Sequence, residues 1–215
     1  EAQGFVKEVD FVSCYLPADK FQLPERVKNI AERVMQRGHL KVKKFKSKKE
    51  LLQWADRIGA AYNNAFVRNW EYYPLTQREI DFVVGNIMTI ADHRLIKIIT
   101  HDDDVVGFLF AFHDVSAALQ RAKGRLFPFG LIDILLEMRR TNKVSGNGMG
   151  ILPEHQGHGG NALLYYAMGN TLLDFSQFAH VEMTQVAETT EQMRADLKNL
   201  NGIEYKNNRV YRKEI

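Results

Sequence analysis

A glycine-rich stretch that joins a predicted strand to a predicted helix restricts the fold more than any other part of the chain. Residues 148–164 read Gly-Met-Gly-Ile-Leu-Pro-Glu-His-Gln-Gly-His-Gly-Gly-Asn-Ala-Leu-Leu. The start of a helix leaves four backbone N–H groups without intrahelical partners and carries a partial positive charge. Glycines let a phosphate approach those groups closely. The stretch therefore predicts a phosphate or diphosphate cradle at residues 156–162.

Two familiar nucleotide loops are disfavoured by the same residues. No Gly-Lys-Ser/Thr follows, as a Walker loop requires, and the spacing does not match Gly-x-Gly-x-x-Gly. A loop that only turns the chain is the alternative interpretation. The preceding strand contains Gly146, Gly148 and Gly150. Glycine weakens a strand unless a ligand or another backbone comes close, so these positions also indicate a close approach.

Hydrophobic periodicity predicts a mixed order of helices and strands along the rest of the chain. Strands are predicted at 5–16, 40–45, 95–100, 105–112, 144–152 and 180–187, with a closing strand pair at 202–213. Helices are predicted at 24–38, 47–66, 76–87, 116–123, 131–138 and 191–200, and over 157–174 after its glycine-rich beginning. This order predicts an α/β fold of the mixed α+β kind.

Composition excludes several classes of protein. The chain has 215 residues, of which 45% are apolar and 26% charged, the balance of a globular domain rather than of a disordered, collagen-like or coiled-coil chain. No window reaches the roughly 18 apolar residues of a membrane span. Cys14 is the one cysteine, which favours a reducing compartment, so we expect a cytoplasmic location. Because the first residue is not Met, we expect the chain to be part of a longer product.

Positive charge is concentrated near the start of the chain. Residues 1–49 contain 12 basic and 6 acidic side chains, and 41–49 alone contain six lysines. This lysine run is either an anion site or a solvated strand edge on which lysine blocks unwanted pairing. No aromatic platform accompanies it, which disfavours nucleic acid as a partner.

The Leu-Pro-Glu-x-Gln-Gly-x-Gly run at 152–159, followed by an Ala-Leu-Leu helix, resembles the acyl-CoA-binding motif of the GNAT N-acetyltransferases. Residues 25–215 are similar to a bacterial branch of that superfamily through the stretches Tyr62–Trp70 and Gly124–Gly130 and the tail 205–212. The resemblance implies a central, mostly antiparallel twisted sheet with helices on both faces. It divides the chain into a GNAT domain at 23–215 and an N-terminal arm at 1–22, which resembles the closing strand of a preceding GNAT-like unit.

The resemblance implies an acyl-CoA-dependent N-acyltransferase that moves an acetyl or other acyl group from a CoA thioester to an amine. Acetyl-CoA or another acyl-CoA is the implied co-substrate. Its diphosphate would lie on the glycine-rich loop that begins at residue 156. Its pantetheine arm would lie beside the strand at 149–152, in the gap where that strand separates from the strand at 180–187. The implied cofactor-binding residues are Met149, Gly150, Ile151, Leu152, Gln156, Gly157, His158, Gly159, Gly160, Asn161 and Ala162.

The resemblance also implies catalytic positions, with departures. Many GNAT enzymes have a general-acid Tyr on the last helix, and the matching residue here is Leu197. We expect Glu188 to be the base, with a helix cap or a surface carboxylate as the alternative, and Thr190 to act through its hydroxyl. Tyr205 is either a substitute acid or a packed side chain. The expected acceptor pocket includes Tyr62, Asn69 and Trp70, for which core packing is the alternative.

We expect the partner to be a small-molecule or peptide amine. We expect the chain to bind neither a membrane nor nucleic acid, and we leave open whether it forms a homodimer. No metal is expected, because His155, His158 and His180 lack further ligands at a suitable spacing. Two rival functions remain. One is a Fem-type aminoacyl transferase, and the other is a non-catalytic GNAT-fold module that binds acyl-CoA.

Overall fold

A computed structural model describes residues 3–17, 23–175 and 177–214. Seven strands form one sheet with the spatial order β2-β3-β4-β5-β6-β1-β7. The strands are β1 (Val6–Pro17), β2 (Lys41–Lys43), β3 (Ile96–His101), β4 (Asp104–His113), β5 (Lys143–Ile151), β6 (His180–Ala187) and β7 (Ile203–Arg212). Every neighbouring pair is antiparallel except β5 and β6, which are parallel. The predicted mostly antiparallel sheet is therefore confirmed.

The helices in the described residues cover both faces of this sheet. They are α1 (Glu25–Arg37), α2 (Lys48–Leu52), α3 (Ala55–Phe66), α4 (Gln77–Ile90), α5 (Ser116–Arg121), α6 (Gly130–Arg140), α7 (Gly160–Phe175) and α8 (Glu191–Asn199). Two short 3₁₀ turns lie at His93–Leu95 and Pro153–His155. The fold class expected from the sequence is confirmed.

Side-chain caps explain where two of the helices begin. Thr76 and Glu79 form a complete capping box at the start of α4. The hydroxyl of Ser47 accepts the Glu50 N–H at 3.2 Å, and the Glu50 carboxylate accepts the N–H of Lys46. The single helix predicted over 47–66 is wrong, because the chain breaks it into α2 and α3. The break falls at Trp54, whose ring packs edge-on against Phe45.

Two hydrophobic cores lie on opposite faces of the sheet. Successive residues of a strand point to opposite faces, so Leu109 joins one core and its neighbour Phe108 joins the other. The first core packs the sheet against α1, α7 and α8, and includes Leu163, which is fully buried. The second core packs it against α3. The two faces of the sheet therefore pack against different helices.

Strand β1 comes from the beginning of the chain but lies inside the sheet, between β6 and β7. Phe11 pairs with Ala187 of β6 on one side and with Asn208 of β7 on the other. The predicted strand pair at 202–213 is wrong, because this segment forms the single strand β7 and its neighbour is β1. The division of the chain at residue 22 stays a prediction, and residues 1–2 and 18–22 lie outside the described residues.

Candidate functional site

The parallel strands β5 and β6 separate halfway along their length. Their pairing runs from Lys143 opposite His180 to Gly146 opposite Met183. Beyond this point, within the described residues, β5 pairs only with β4 and β6 pairs only with β1. A bulge in the β4–β5 ladder makes Asn147 an extra residue where the separation begins. The result is a wedge-shaped gap whose apex lies at Gly146 and whose open end lies towards Ile151.

The loop after β5 leads from the open end of this wedge to the start of α7. Gly157 and Gly159 both have positive φ angles, 78° and 82°. Within residues 3–17, 23–175 and 177–214, the backbone N–H groups of residues 157–162 have no hydrogen-bond acceptor. The N–H of Gln156 differs, since it donates to the Pro153 carbonyl at 3.4 Å. The geometry therefore offers six open donors at the N-terminus of a 16-residue helix, an arrangement suited to an anion.

Packing against α1 and β5 accounts for two of the loop glycines. A Cβ atom on Gly159 would lie 2.8 Å from the Val34 side chain, and one on Gly160 would lie 2.7 Å from that of Ile151. A Cβ on Gly157 would meet nothing within 4 Å. A substitution at Gly159 would therefore disturb the packing of α1 as well as any ligand, so it is a poor probe of phosphate binding.

The side chain of Asn161 is held by α8. Its Nδ2 donates to Asp196 at 2.8 Å, and the hydroxyl of Tyr165 lies 3.3 Å from the same carboxylate oxygen. Burial, with the charge of Asp196, raises the pKa of Tyr165 well above its usual value. Because its side chain is engaged there, Asn161 offers the loop its backbone N–H, as a glycine would.

Two of the three glycines of β5, Gly146 and Gly150, lie where the protein's own side chains leave little room for a Cβ atom. A Cβ on Gly150 would lie 2.7 Å from the Phe108 ring and 2.8 Å from Ala65 of α3. A Cβ on Gly146 would lie 2.6 Å from the sulfur of Met183. The close approach that these glycines predict is thus seen, and the approaching groups are neighbouring side chains.

Three polar side chains meet at the apex, and sequence reasoning missed all of them. The hydroxyl of Thr184 lies 2.7 Å from Oδ1 of Asn147 and 3.2 Å from the Gly146 carbonyl oxygen. The hydroxyl of Ser145 donates to the same Asn147 oxygen at 2.9 Å. The alternation of polar His180, Glu182 and Thr184 with apolar residues along β6 is the signal that could have placed Thr184 on this face.

Glu188, the predicted base, lies just after β6 and has two partners. The ammonium of Lys7 is 2.7 Å from its carboxylate, and the N–H of Asp10 donates to it at 3.1 Å. Lys7, followed by this N–H, lowers the pKa of Glu188. A lowered pKa makes the carboxylate a weaker base. Thr190 begins α8 without a capping hydrogen bond from its side chain.

Tyr205, the predicted substitute acid, lies on the edge strand β7. Its hydroxyl donates to Glu182 of β6, and the ammonium of Lys206 lies 3.1 Å from the same carboxylate. Burial and then the hydrogen bond with Glu182 raise the pKa of Tyr205, which makes it a weaker acid. Leu197 is buried in the first core. The structure thus joins Tyr205 to Glu182, a residue that the sequence interpretation did not single out.

The predicted acceptor residues lie on the second-core face of the sheet. Tyr62 stacks on Phe108, with 5.6 Å between the ring centroids, and Trp70 meets Phe11 edge-on at 5.9 Å. Phe11 pairs with Ala187, so Trp70 lies near the open end of the wedge. Asn69 is exposed in the loop between α3 and α4. Tyr62 is therefore mainly a packing residue, whereas Asn69 is exposed and Trp70 is half-buried near the open end of the wedge.

An apolar cavity of about 40 Å³ lies beside the apex, on the α7 side of the sheet. Gly146 and Met183 form its wall towards the wedge, and Met168, Gly169 and Leu172 of α7 line it from below. The volume exceeds the roughly 10–15 Å³ that a single water molecule requires in a cavity. The cavity can therefore hold a few carbon atoms.

The other candidates from the sequence have ordinary surroundings. β2, which contains part of the lysine run, is one of the two edge strands, and Lys43 pairs with Glu50 at 2.8 Å. The ring of His155 packs against His101. In the part of the chain that the structure describes, no three His, Cys, Asp or Glu residues are grouped as a metal site would require. The same part contains no helix with both the length and the hydropathy of a membrane span.

Comparisons with known proteins agree on the fold. No family model matches the chain. It is 24% identical over 220 residues to the bacterial ceramide synthase of Caulobacter vibrioides and 22% identical over 224 residues to the protein YghO of Escherichia coli. Each alignment covers 100% of this chain and 56% of the relative, so the chain spans about half the length of the curated relatives it matches.

Solved structures extend this likeness. A GCN5-related N-acetyltransferase from Sphaerobacter thermophilus superposes with a TM-score of 0.62 at 14% identity, over 99% of this chain and 53% of that one. A tandem GNAT protein from the clavulanic acid biosynthesis pathway superposes with a TM-score of 0.55 at 12% identity, over 98% of this chain and 55% of that one. The chain therefore has the GNAT fold, as its resemblance to that superfamily implied.

Proposed function

We propose that this chain, which has the GNAT fold, is an acyltransferase domain that moves an acyl group from a CoA thioester to an amine. One observation carries the proposal. The gap between β5 and β6 ends at six open N–H donors on the loop and first turn of α7. An elongated ligand with a diphosphate at one end and a thin arm at the other matches that shape and charge.

In this proposal the diphosphate is held by the N–H groups of residues 157–162, and the pantetheine arm lies along Met149–Leu152 like an added strand. The thioester then reaches the apex. There, Thr184, Asn147 and Ser145 form a polar cluster, and we assign Thr184 and Asn147 to orient the reacting groups. The amine nitrogen bonds to the acyl carbon, the C–S bond breaks, and the proton lost by the amine balances the protonation of the leaving thiolate.

The acceptor that we propose is an amine on a long apolar chain. A ceramide is an N-acylated long-chain amino alcohol, and one curated relative is named a bacterial ceramide synthase. Trp70 and Phe11, which pack edge to face near the open end of the wedge, would offer such a chain an aromatic contact.

Calorimetric titration tests the diphosphate cradle. We expect acetyl-CoA or a longer acyl-CoA to bind, and His158→Glu to weaken binding by about tenfold, because a carboxylate would stand among donors meant for phosphate. His158 is exposed, so the substitution should not affect folding. His158→Gln is the matched neutral control. Equal affinity of the Glu and Gln variants would contradict the cradle.

Thiol release tests catalysis. Acyl-CoA is mixed with a panel of amines that includes a long-chain amino alcohol and a short amine of the same head group. We expect release with the long-chain acceptor. Binding of acyl-CoA without release on any amine would instead support the non-catalytic module, and absence of acyl-CoA binding would favour the Fem-type aminoacyl transferase.

Two variants can distinguish a role of Glu188 in catalysis from a structural role of its ion pair with Lys7. If Glu188 is the base, Glu188→Gln lowers turnover while cofactor affinity is unchanged, and Lys7→Met, which removes the main group that lowers the Glu188 pKa, does not lower turnover. If the carboxylate only anchors β1, both variants lose similar stability and neither loses turnover. Thermal unfolding and thiol release, measured on both variants, decide between these roles.

A further inference from the structure

The helical segment between β4 and β5 exposes an apolar stripe. Ile132, Leu135 and Leu136 of α6 have exposed fractions of 55%, 45% and 39%. Their spacing of three and four residues puts them on one face of the helix. On the opposite face, Gly130 and Ile134 are buried. α6 therefore carries apolar side chains towards solvent as well as towards the protein, whereas a helix that packs on a core by one face usually has polar residues on its outer side.

The loop that leads into α6 extends this stripe. Leu126 is 46% exposed, Phe127 79% and Phe129 75%. We call these three residues and the three of the α6 stripe the insertion surface. Single exposed apolar residues are ordinary, but six large ones in eleven consecutive residues mark a surface that meets something other than water.

The charges around the insertion surface are mostly positive. The acidic residues of α6, Asp133 and Glu137, both bind Arg121 of α5, at 2.9 Å and 2.5 Å. The remaining cations are exposed, and none of them has an ion-pair partner among the described residues: Lys123, Arg125, Arg139 and Arg140. The apolar surface therefore has a rim of net positive charge.

We propose that the insertion surface binds a bilayer that contains anionic phospholipid, with α6 lying in the plane of the interface. Phenylalanine and leucine side chains would enter the boundary between head groups and acyl chains, while the rim cations contact phosphates. A second copy of the chain fits this surface poorly, because a two-fold contact would bring the same four cations together. The proposal departs from the sequence-based expectation of no membrane partner, and it concerns a surface contact rather than a span.

Vesicle flotation tests this proposal on the whole protein. We expect it to float with vesicles of phosphatidylcholine and phosphatidylglycerol, and to float less with phosphatidylcholine alone or at high salt. Phe127→Ser with Phe129→Ser should reduce partitioning at least about tenfold, since each buried side chain contributes that order of affinity. Phe82→Ser is the matched control, because Phe82 is an aromatic residue of similar exposure, 73%, on α4.

A second variant keeps the test valid if the apolar substitutions impair folding. Arg139→Gln with Arg140→Gln changes only exposed side chains and should weaken binding to anionic vesicles by about fivefold per residue, with no effect on neutral ones. No flotation of the wild-type protein overturns the proposal. So does an equal loss in Phe82→Ser, or a self-association measured by sedimentation that the insertion-surface variants abolish.

Discussion

At the scale of single residues, Met183 controls the apex of the wedge. Its sulfur would lie 2.6 Å from a Cβ on Gly146, so a larger residue at position 146 would have to displace the methionine side chain. Met183 is 7% exposed and separates the wedge from the small apolar cavity beside α7. Methionine is flexible and fills irregular space, which makes it a movable wall for an acyl group.

Met183→Ala should join the cavity to the wedge and shift the donor preference towards longer acyl chains. We expect the ratio of kcat/KM for butyryl-CoA over acetyl-CoA to rise about tenfold, in the range that one or two methylenes contribute in an apolar pocket. The variant should also lose about 2–5 kcal/mol of stability from the cavity created. Steady-state thiol release measures the ratio, and Met35→Ala, at an exposed methionine, is the control. An unchanged ratio would show that the acyl group lies elsewhere.

At the scale of elements, β1 connects β7 to the rest of the sheet. β6 and β7 are not neighbours, and each pairs with β1. Arg209 of β7 reinforces this arrangement by contacting the Asp10 carboxylate of β1 at 2.8 Å and 2.9 Å. The sequence predicted the strand character of β1 and of residues 203–212, because alternation is local. It did not predict that they pair, because strand partners are chosen by contacts between distant parts of the chain.

Val12→Pro should therefore be far more damaging than Val12→Ala. Val12 is opposite Val186 of β6 and Asn207 of β7. The alanine variant loses only packing, about 1–3 kcal/mol. Proline also removes an N–H from a strand that is paired on both sides, a place where proline is hardly ever found. Urea denaturation compares the two free energies of unfolding. Similar values would mean that β1 contributes packing but little hydrogen bonding.

At the scale of the whole molecule, stability depends on carboxylates whose pKa values are lowered by folding. Arg209, with Asn207 and Lys7, lowers the pKa of Asp10. Burial acts against ionisation of Asp92, but His113 and Arg94 outweigh it and lower the pKa of that carboxyl. Arg121 does the same for Asp133. These groups bind β1 to β7, β4 to the turn before β3, and α5 to α6, so they act across the whole fold.

Acid should therefore destabilise the protein. A carboxylate whose folded pKa lies below its unfolded value, about 4, stabilises the fold above that pH, and the contribution is lost as the pH falls through the folded pKa. We expect the thermal unfolding midpoint to fall steadily below about pH 4. Asp10→Asn should be less stable than wild type at pH 7 and should show a shallower decline. A parallel decline would mean that Asp10 does not contribute to the acid response.

The sequence by itself determined most helices and strands and the position of the glycine-rich loop, because caps, periodicity and glycine placement depend on residues that are close in the chain. Only the tertiary structure brought Thr184 and Asn147 together, joined Tyr205 to Glu182 and placed β1 inside the sheet. It also turned the apolar stripe of α6 outward, although a stripe of this spacing usually indicates a buried face. The physical reason is the same in each case. The neighbours of a side chain across the sheet depend on which distant segments pack together, and the local sequence pattern does not determine that packing.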